Sequence, residues 1–377
     1  MNLAIRDIAH NRGRFLLTCL GLSLLLGIVL AMVGIYRGLV AEALTLARSP
    51  GAHLWVVEAE TRGPFAEASR IPGDARESIA RVAGIVETGA VTYQSIDISR
   101  GGGTLRAYLV GHEPGRIGGP PALVAGRNVV STRFEIVADR GTGLSVGDRL
   151  PLGRDSYEIV GLTRNQVSSG GDPVIFMALR NAQRLQFELA PPAARKELMR
   201  GAGAASSDIV NAILARVSDN ARPDRVAGAI RQWKHLAVLT QAEQETLLGK
   251  SVIERARRQI GLFTSLLLIV STVVIALIIY TLTLDKLKEI ATLKLIGAPD
   301  RTIVALIVQQ ALAMGTIGFA AGASLVYLFQ DRFPRRVIID PADVAGLALV
   351  VVVVCIAASA LGVRLALRVE PAAALGG

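Results

Sequence analysis

Few side chains in this sequence are of a type and spacing that could do covalent chemistry. Its four histidines, His10, His53, His112 and His235, are scattered with no ligand-like spacing. Neither HExxH nor GxSxG occurs. His53 beside Trp55 and His112 beside Glu113 read as strand residues, with haem ligation by either as the weaker alternative. Leu248-Gly249-Lys250-Ser251 looks like the end of a phosphate-binding loop, but that pattern needs a glycine at 244, where Gln244 stands, and a preceding strand where the context is helical. Gly141-Thr142-Gly143 lacks the third glycine of a dinucleotide fingerprint and reads as a turn. The two cysteines, Cys19 and Cys355, both fall in apolar runs, which excludes a disulfide framework and a multi-cysteine metal site. No catalytic or metal site is expected.

The segment with the clearest functional character is Asp285–Arg301, DKLKEIATLKLIGAPDR. Leu287, Ile290 and Leu293 recur every three residues among Asp285, Lys286, Lys288 and Glu289, and Gly297 and Pro299 end the pattern. A short amphipathic helix of this kind lies on a membrane surface, docks into a partner's groove, or simply connects two helices. Periodicity leaves these readings open.

The elements that position this segment are four uncharged apolar stretches, Phe15–Ile35, Ile260–Leu284, Thr302–Gln330 and Val344–Val363. Each reaches the ~20 residues that a helix needs to cross a hydrocarbon core roughly 30 Å thick. Arg6, Arg12 and Arg14 before the first stretch imitate a signal peptide. The apolar run is too long for one and no small-x-small site closely follows, so it is read as a retained helix. The hydrophobic fraction of 51% and the mean hydropathy of +0.45 belong to these runs. The formal charge of +10 comes from scattered Lys and Arg, with no basic helix interleaved with aromatics. That distribution argues against nucleic acid and for anionic membrane lipids as partners.

The expected fold class is therefore a membrane protein with four transmembrane helices in a 1+3 layout and a large mixed α/β extracytoplasmic domain inserted between the first two. The expected divisions are an interfacial N-terminal helix over 1–14, spans over 15–36, 259–284, 302–330 and 344–363, the inserted domain with helical stalks over 37–258, a cytoplasmic loop over 285–301, a short outer loop over 331–343 and a cytoplasmic tail over 364–377. Arg6, Arg12, Arg14, Lys286, Lys288, Lys294, Arg301, Arg364 and Arg368 on one face outnumber Arg332, Arg335 and Arg336 on the other, which places both termini in the cytoplasm. The expected location is the cell inner membrane.

Within the insert, strands are expected at His53–Glu58, Val86–Ile98, Thr104–Val110, Arg149–Leu152, Tyr157–Thr163, Pro173–Met177 and Ile209–Val217. Helices are expected at Asp74–Val82, Asn181–Leu189 and Pro223–Trp233. From Gln241 onward one continuous helix is expected to run into the second span. Within the spans, Gln309 and Gln310 form the most polar pair and are assigned to hydrogen bonding between helices. Gly318 and Gly322 make a GxxxG for close helix packing. The absence of intramembrane charge argues against a proton- or sodium-driven transporter.

Lys288-Glu289-Ile290-Ala291-Thr292-Leu293-Lys294-Leu295-Ile296-Gly297-Ala298 resembles the cytoplasmic loop of FtsX/MacB-type (type VII) ABC transporter permeases. Leu144–Gly161 resembles a strand pair of that family's outer domain. The tail Glu370–Leu375 is similar to its closing motif, with Ala373 where Glu is usual. Ile5–Phe15 is similar to the DevC-like and haem-exporter subgroup. The resemblance implies that Lys288, Glu289, Ile290, Leu293, Leu295, Gly297 and Ala298 meet a separate ABC ATPase subunit. It further implies a second permease copy, a periplasmic adaptor and an outer-membrane channel as partners. No cofactor would bind the chain itself, ATP and Mg being used by the ATPase. The implied function is an exporter subunit for a hydrophobic or amphipathic substrate such as a lipid, glycolipid, lipoprotein, haem or drug. The alternatives are an FtsX-like relay that controls a cell-wall hydrolase without transport, and a membrane anchor unrelated to ABC systems.

Overall fold

A computed structural model of the chain describes residues 12–368, apart from 62, 66–68, 101–102, 131–133, 193–194, 196–207, 234, 298 and 334. It divides into two units. One comprises residues up to Gly38 together with Ala256 onward, and the other runs from Leu39 to Arg255.

The first unit is helical. Helix α1 (Arg12–Arg48) begins in it and passes at Gly38 into the second unit. It also holds most of the long helix Glu254–Asp285, a short helix Leu287–Leu295, and the long helices Asp300–Phe329 and Pro341–Arg368. Segments of the four long helices, Leu16–Arg48, Ala256–Asp285, Asp300–Phe329 and Pro341–Arg364, are long and apolar enough to cross a membrane. A helix suits such sequences because it satisfies every backbone polar group internally. Their shared core contains Leu22, Leu26, Leu30, Ile275, Ile279, Ile307, Val351 and Cys355. Buried polar residues here are hydroxyls that donate to their own helices: Ser23 to the Leu20 carbonyl at 2.8 Å, Ser271 to Leu267 at 2.8 Å, Thr283 to Ile279 at 2.8 Å and Ser359 to Ile356 at 2.7 Å.

The second unit is mixed α/β. Its elements in order are β1 (Leu54–Glu58), β2 (Ile71–Pro72), α2 (Ala75–Ala80), β3 (Ile85–Arg100), β4 (Gly103–His112), β5 (Ala125–Gly126), β6 (Glu135–Asp139), β7 (Arg149–Leu152), β8 (Asp155–Thr163), β9 (Val174–Ala178), α3 (Leu179–Leu189), β10 (Ile209–Val210), β11 (Ala212–Val217), α4 (Pro223–Ile230), β12 (Leu236–Thr240) and α5 (Gln241–Leu248). The main sheet runs β12-β1-β11-β3-β4-β9-β6-β8-β5, with β7 also on β8. Its pairs are antiparallel except β4 with β9 and β6 with β8. A separate pair joins β10 to β2. Apolar clusters fill both sides, around Trp55, Val91 and Phe176 on one and Ile79, Ile213 and Ile230 on another.

In chain order after α5 come α6 (Glu254–Asp285), α7 (Leu287–Leu295), α8 (Asp300–Phe329) and α9 (Pro341–Arg368). The fold class, four apolar helices around an α/β insert, agrees with the sequence expectation. Two expectations are corrected, and further strands come to light. Ile209–Val217 is not one strand: Asn211 interrupts it, because its side-chain oxygen accepts from the Tyr93 amide at 2.8 Å and the Thr92 hydroxyl at 2.6 Å, while its amide donates to the Ser69 carbonyl at 2.8 Å. The helix from Gln241 is not uniform, since a π-helical segment, Gly249–Ile253, stands between α5 and α6. The strands β6 and β12 were not anticipated. The lead-in at 1–11 and the tail motif at 370–375 lie outside the described residues.

Candidate coupling loop and helix seam

The loop between the second and third spans is built by α7. After α6 ends at Asp285, Lys286 turns the chain, and the Ile290 amide donates to the Lys286 carbonyl at 2.9 Å to start the new helix. At the other end the Gly297 amide donates to the Lys294 carbonyl at 3.0 Å. Gly297 sits at φ +88°, a left-handed conformation that ends helices and that glycine adopts without Cβ strain. Pro299 is extended, and α8 begins at Asp300.

The two faces of α7 have different surroundings. Ile290 is 3% exposed and Ala291 is fully buried, and Ile290 packs in the same cluster as Ile303 and Ile307 of α8. Glu289 is exposed, and at the C-terminal end Leu295 is 59% and Ile296 79% exposed. Lys288 and Leu293 belong to the same helix. Ala298 lies outside the described residues. Burial pushes the Lys286 ammonium below its ordinary pKa, against the opposing pull of Glu289.

Ile290, grouped in the sequence with the partner-facing residues, is therefore a core residue of the bundle. A period of three marks an apolar face but does not say which neighbour covers it. Ile296, which sequence reasoning passed over, is the most exposed apolar side chain of this loop among the described residues. Its signal was its position immediately before the helix-ending glycine. An exposed apolar side chain there would gain from burial against a lipid surface or in a partner's groove.

The polar and small residues assigned to the spans separate in the same way. Gln309 is exposed on α8, and Gln310 is half-buried. Gly318 and Gly322 are buried and face α1. A β-carbon on Gly318 would stand 3.0 Å from the Leu22 side chain, and one on Gly322 would stand 3.0 Å from the Gly27 amide nitrogen. The GxxxG thus forms a seam between the first and third spans of one chain.

Among the described residues, the histidines form no metal-binding cluster. His53 accepts a hydrogen bond at Nδ1 from the Val217 amide at 3.1 Å. His112 is 3% exposed. Burial pushes its imidazole down to about 4; the Glu113 backbone opposes the shift but makes no hydrogen bond of normal geometry to either ring nitrogen. No cluster of three metal-ligating residues occurs among the described residues.

Residues 15–233, more than half of the chain, match the MacB-like periplasmic core domain family, and residues 261–371 match the FtsX-like permease C-terminal family. The chain is an ABC transporter permease of the MacB/FtsX type. An uncharacterised ABC transporter permease of Mycobacterium tuberculosis is 24% identical over 378 residues, covering 99% of each chain. A second from the same organism is 24% identical over 377 residues, again covering 99% of each. Among solved structures, the periplasmic region of MacB from Actinobacillus actinomycetemcomitans is similar at 9% identity and TM-score 0.37, over 55% of this chain and 96% of that one. The extracellular domain of the noncanonical ABC-type transporter YknZ from Gram-positive bacteria is similar at 11% identity and TM-score 0.35, over 50% of this chain and 99% of that one. For an ABC permease, the family implies an ATPase partner.

Proposed function

We propose that this permease is the membrane subunit of an ATP-driven exporter for a hydrophobic or amphipathic substrate, a lipid, glycolipid, lipoprotein, haem or drug. It works by transmitting motion from a separate ATPase. The observation that carries the proposal is the α7 loop, where Glu289, Leu295 and Ile296 are exposed while Ile290 is buried as an anchor in the bundle. Two copies of the chain pair with two ATPase subunits, which bind and hydrolyse ATP with Mg. Closure of those subunits pushes on α7. Because Ile290 and Ala291 are packed into the bundle, the push moves the spans as well as the loop. The helices that leave the bundle carry the motion to the inserted domain, which stands on the extracytoplasmic side of the inner membrane with both termini in the cytoplasm. A periplasmic adaptor and an outer-membrane channel complete the route.

The bundle supports an amphipathic or hydrophobic substrate. Its buried polar groups among the described residues are hydroxyls, and those named above are satisfied by their own helices, so the described core holds no buried charge for a hydrophilic solute to follow.

The test is a reconstitution of the permease with its ATPase in vesicles, comparing the native loop with Glu289→Lys combined with Ile296→Asp. Coupled ATP hydrolysis and transport should fall at least tenfold, with the thermal stability of the permease unchanged. Full activity of the double variant would sink the proposed interface. Hydrolysis that responds to a cell-wall hydrolase and not to lipids or hydrophobic compounds would favour the signal relay over the exporter.

A further inference from the structure

The loop that joins α8 to α9 packs against α1 around Gly34 and Arg37, well before that helix ends at Arg48. The Ile338 amide donates to the Gly34 carbonyl at 3.1 Å, and a β-carbon on Gly34 would stand 2.6 Å from the Val337 side chain. This backbone contact fixes the loop against the bundle. Arg37 of α1 donates from Nη1 to Asp340 at 2.9 Å and from Nη2 to Asp343 at 2.8 Å. Both acids that follow the loop are thereby engaged by one guanidinium.

Beside this clamp is a cavity of about 450 Å³. Gln330, Phe333, Arg335 and Arg336 line it together with Val337 and Ile338. Arg335 and Arg336 are exposed, Phe333 is 37% exposed and Val337 is 8% exposed. Arg332 lies over the Phe329 ring at 5.6 Å, at the end of the third span. The depression therefore combines a cationic, mostly polar lining with a place at the boundary of an apolar span.

We propose that this cavity binds the phosphate headgroup of an anionic phospholipid from the adjoining leaflet. Guanidinium forks match phosphate oxygens in two-pronged hydrogen bonds. Phe333 and the half-buried Ile338 would lie along the glycerol backbone, while Val337 stays packed against α1. The volume suits a phosphoglycerol head and not a whole lipid, whose chains stay in the bilayer. A zwitterionic head offers the same phosphate, but its ammonium is repelled by the same arginines. The site selects phosphatidylglycerol over phosphatidylcholine. It does not depend on the exporter reading, only on the membrane embedding of the helices.

The experiment is a lipid titration of the full-length, detergent-purified permease by native mass spectrometry, with phosphatidylglycerol and phosphatidylcholine in separate arms. Arg335→Gln with Arg336→Gln should weaken phosphatidylglycerol binding roughly thirtyfold, about fivefold for each cation removed, multiplied by loss of the two-pronged geometry. Phosphatidylcholine binding should not change. Arg335→Lys with Arg336→Lys should retain most of the affinity. Equal binding of both lipids to the native chain would overturn the proposal. So would an equal loss in Arg301→Gln with Arg364→Gln, which removes two cations elsewhere, or displacement of the lipid by excess glycerol phosphate, which would indicate a soluble phosphate compound. Should the glutamine variant not fold, phenylglyoxal labelling of the native chain decides. Phosphatidylglycerol should protect Arg335 and Arg336 where phosphatidylcholine does not, and absence of that protection overturns the site.

Discussion

Gly322 of α8 and Gly27 of α1 meet backbone to backbone: a β-carbon on Gly27 would stand 3.3 Å from the Gly322 carbonyl oxygen, and one on Gly322 would stand 3.0 Å from the Gly27 amide nitrogen. In a bilayer, where lipid chains are as apolar as leucine, such close approach is what holds helices together. Gly322→Leu should force the two spans apart and destabilise the bundle by about 1–3 kcal/mol. Gly346 has nothing within 4 Å of its would-be β-carbon, so Gly346→Ala should be neutral or slightly stabilising. Thermal unfolding of the two variants in the same detergent checks the contrast.

Ile290, inside α7, and Ile296, just past its C-terminal end, have opposite surroundings, 3% and 79% exposed. Ile290→Asp should destabilise the protein severely, since it places a carboxylate in the apolar cluster with Ile303 and Ile307. Ile296→Asp should leave the melting temperature within a degree or so of the native value while reducing ATPase coupling. Melting curves alongside coupled hydrolysis separate the two. The same loss of stability in both variants would refute the division of the helix into an anchored and an outward face.

His112 predicts a pH dependence for the inserted domain. Its folded pKa is pushed down to about 4 by burial, while an unfolded histidine titrates near ~6.5. Between these values the unfolded chain binds the extra proton, so stability rises with pH in that window. The contribution is fully present above ~6.5, is lost as pH falls toward about 4, and amounts to no more than about 3 kcal/mol. His112→Phe should flatten this part of the profile, as read by denaturant unfolding at a series of pH values.

Arg48 and Glu245 join the end of α1 to α5 inside the inserted domain, with Nε to Oε1 at 2.9 Å and Nη2 to Oε2 at 2.6 Å. Gln241 adds a bond to the Ala47 carbonyl at 3.1 Å and accepts from the Trp55 indole at 3.0 Å. The hydrogen-bonded Arg48 guanidinium holds the Glu245 carboxyl below its ordinary value, although partial burial opposes this. The stabilisation is therefore present above the unfolded carboxylate pKa of ~4.3 and is lost as pH falls through the lower folded value. Because Arg48 is largely exposed, a double-mutant cycle with Arg48→Ala and Glu245→Ala should give a coupling of only about 0.2–1 kcal/mol, smaller at high salt.

The spans were legible because about 20 consecutive uncharged apolar residues have few other uses. The turn at Gly297 was legible because glycine next to Ala298-Pro299 cannot continue a helix. Many strands of the insert were legible from runs such as LWVVE at Leu54–Glu58. The splitting of β10 from β11 was not, because Asn211 acts through residues far away in the chain, Ser69, Thr92 and Tyr93. Nor was β12: Leu236–Thr240 is short, its strand character comes from pairing with β1, and Thr240 ends it by capping α5 through Glu243.

Sequence alone determined that this protein has four apolar helices, a large insert between the first two, no charged path through the spans and a short amphipathic segment between the second and third. Each of these is a local property of composition and period. Tertiary structure alone decided which side of that segment is buried, that the Gly318–Gly322 pair meets Leu22 and Gly27 of the first span, and that Arg37 gathers Asp340 and Asp343 beside a cationic cavity. Those facts depend on which residues distant in the chain become neighbours, and periodicity carries no information about the neighbour.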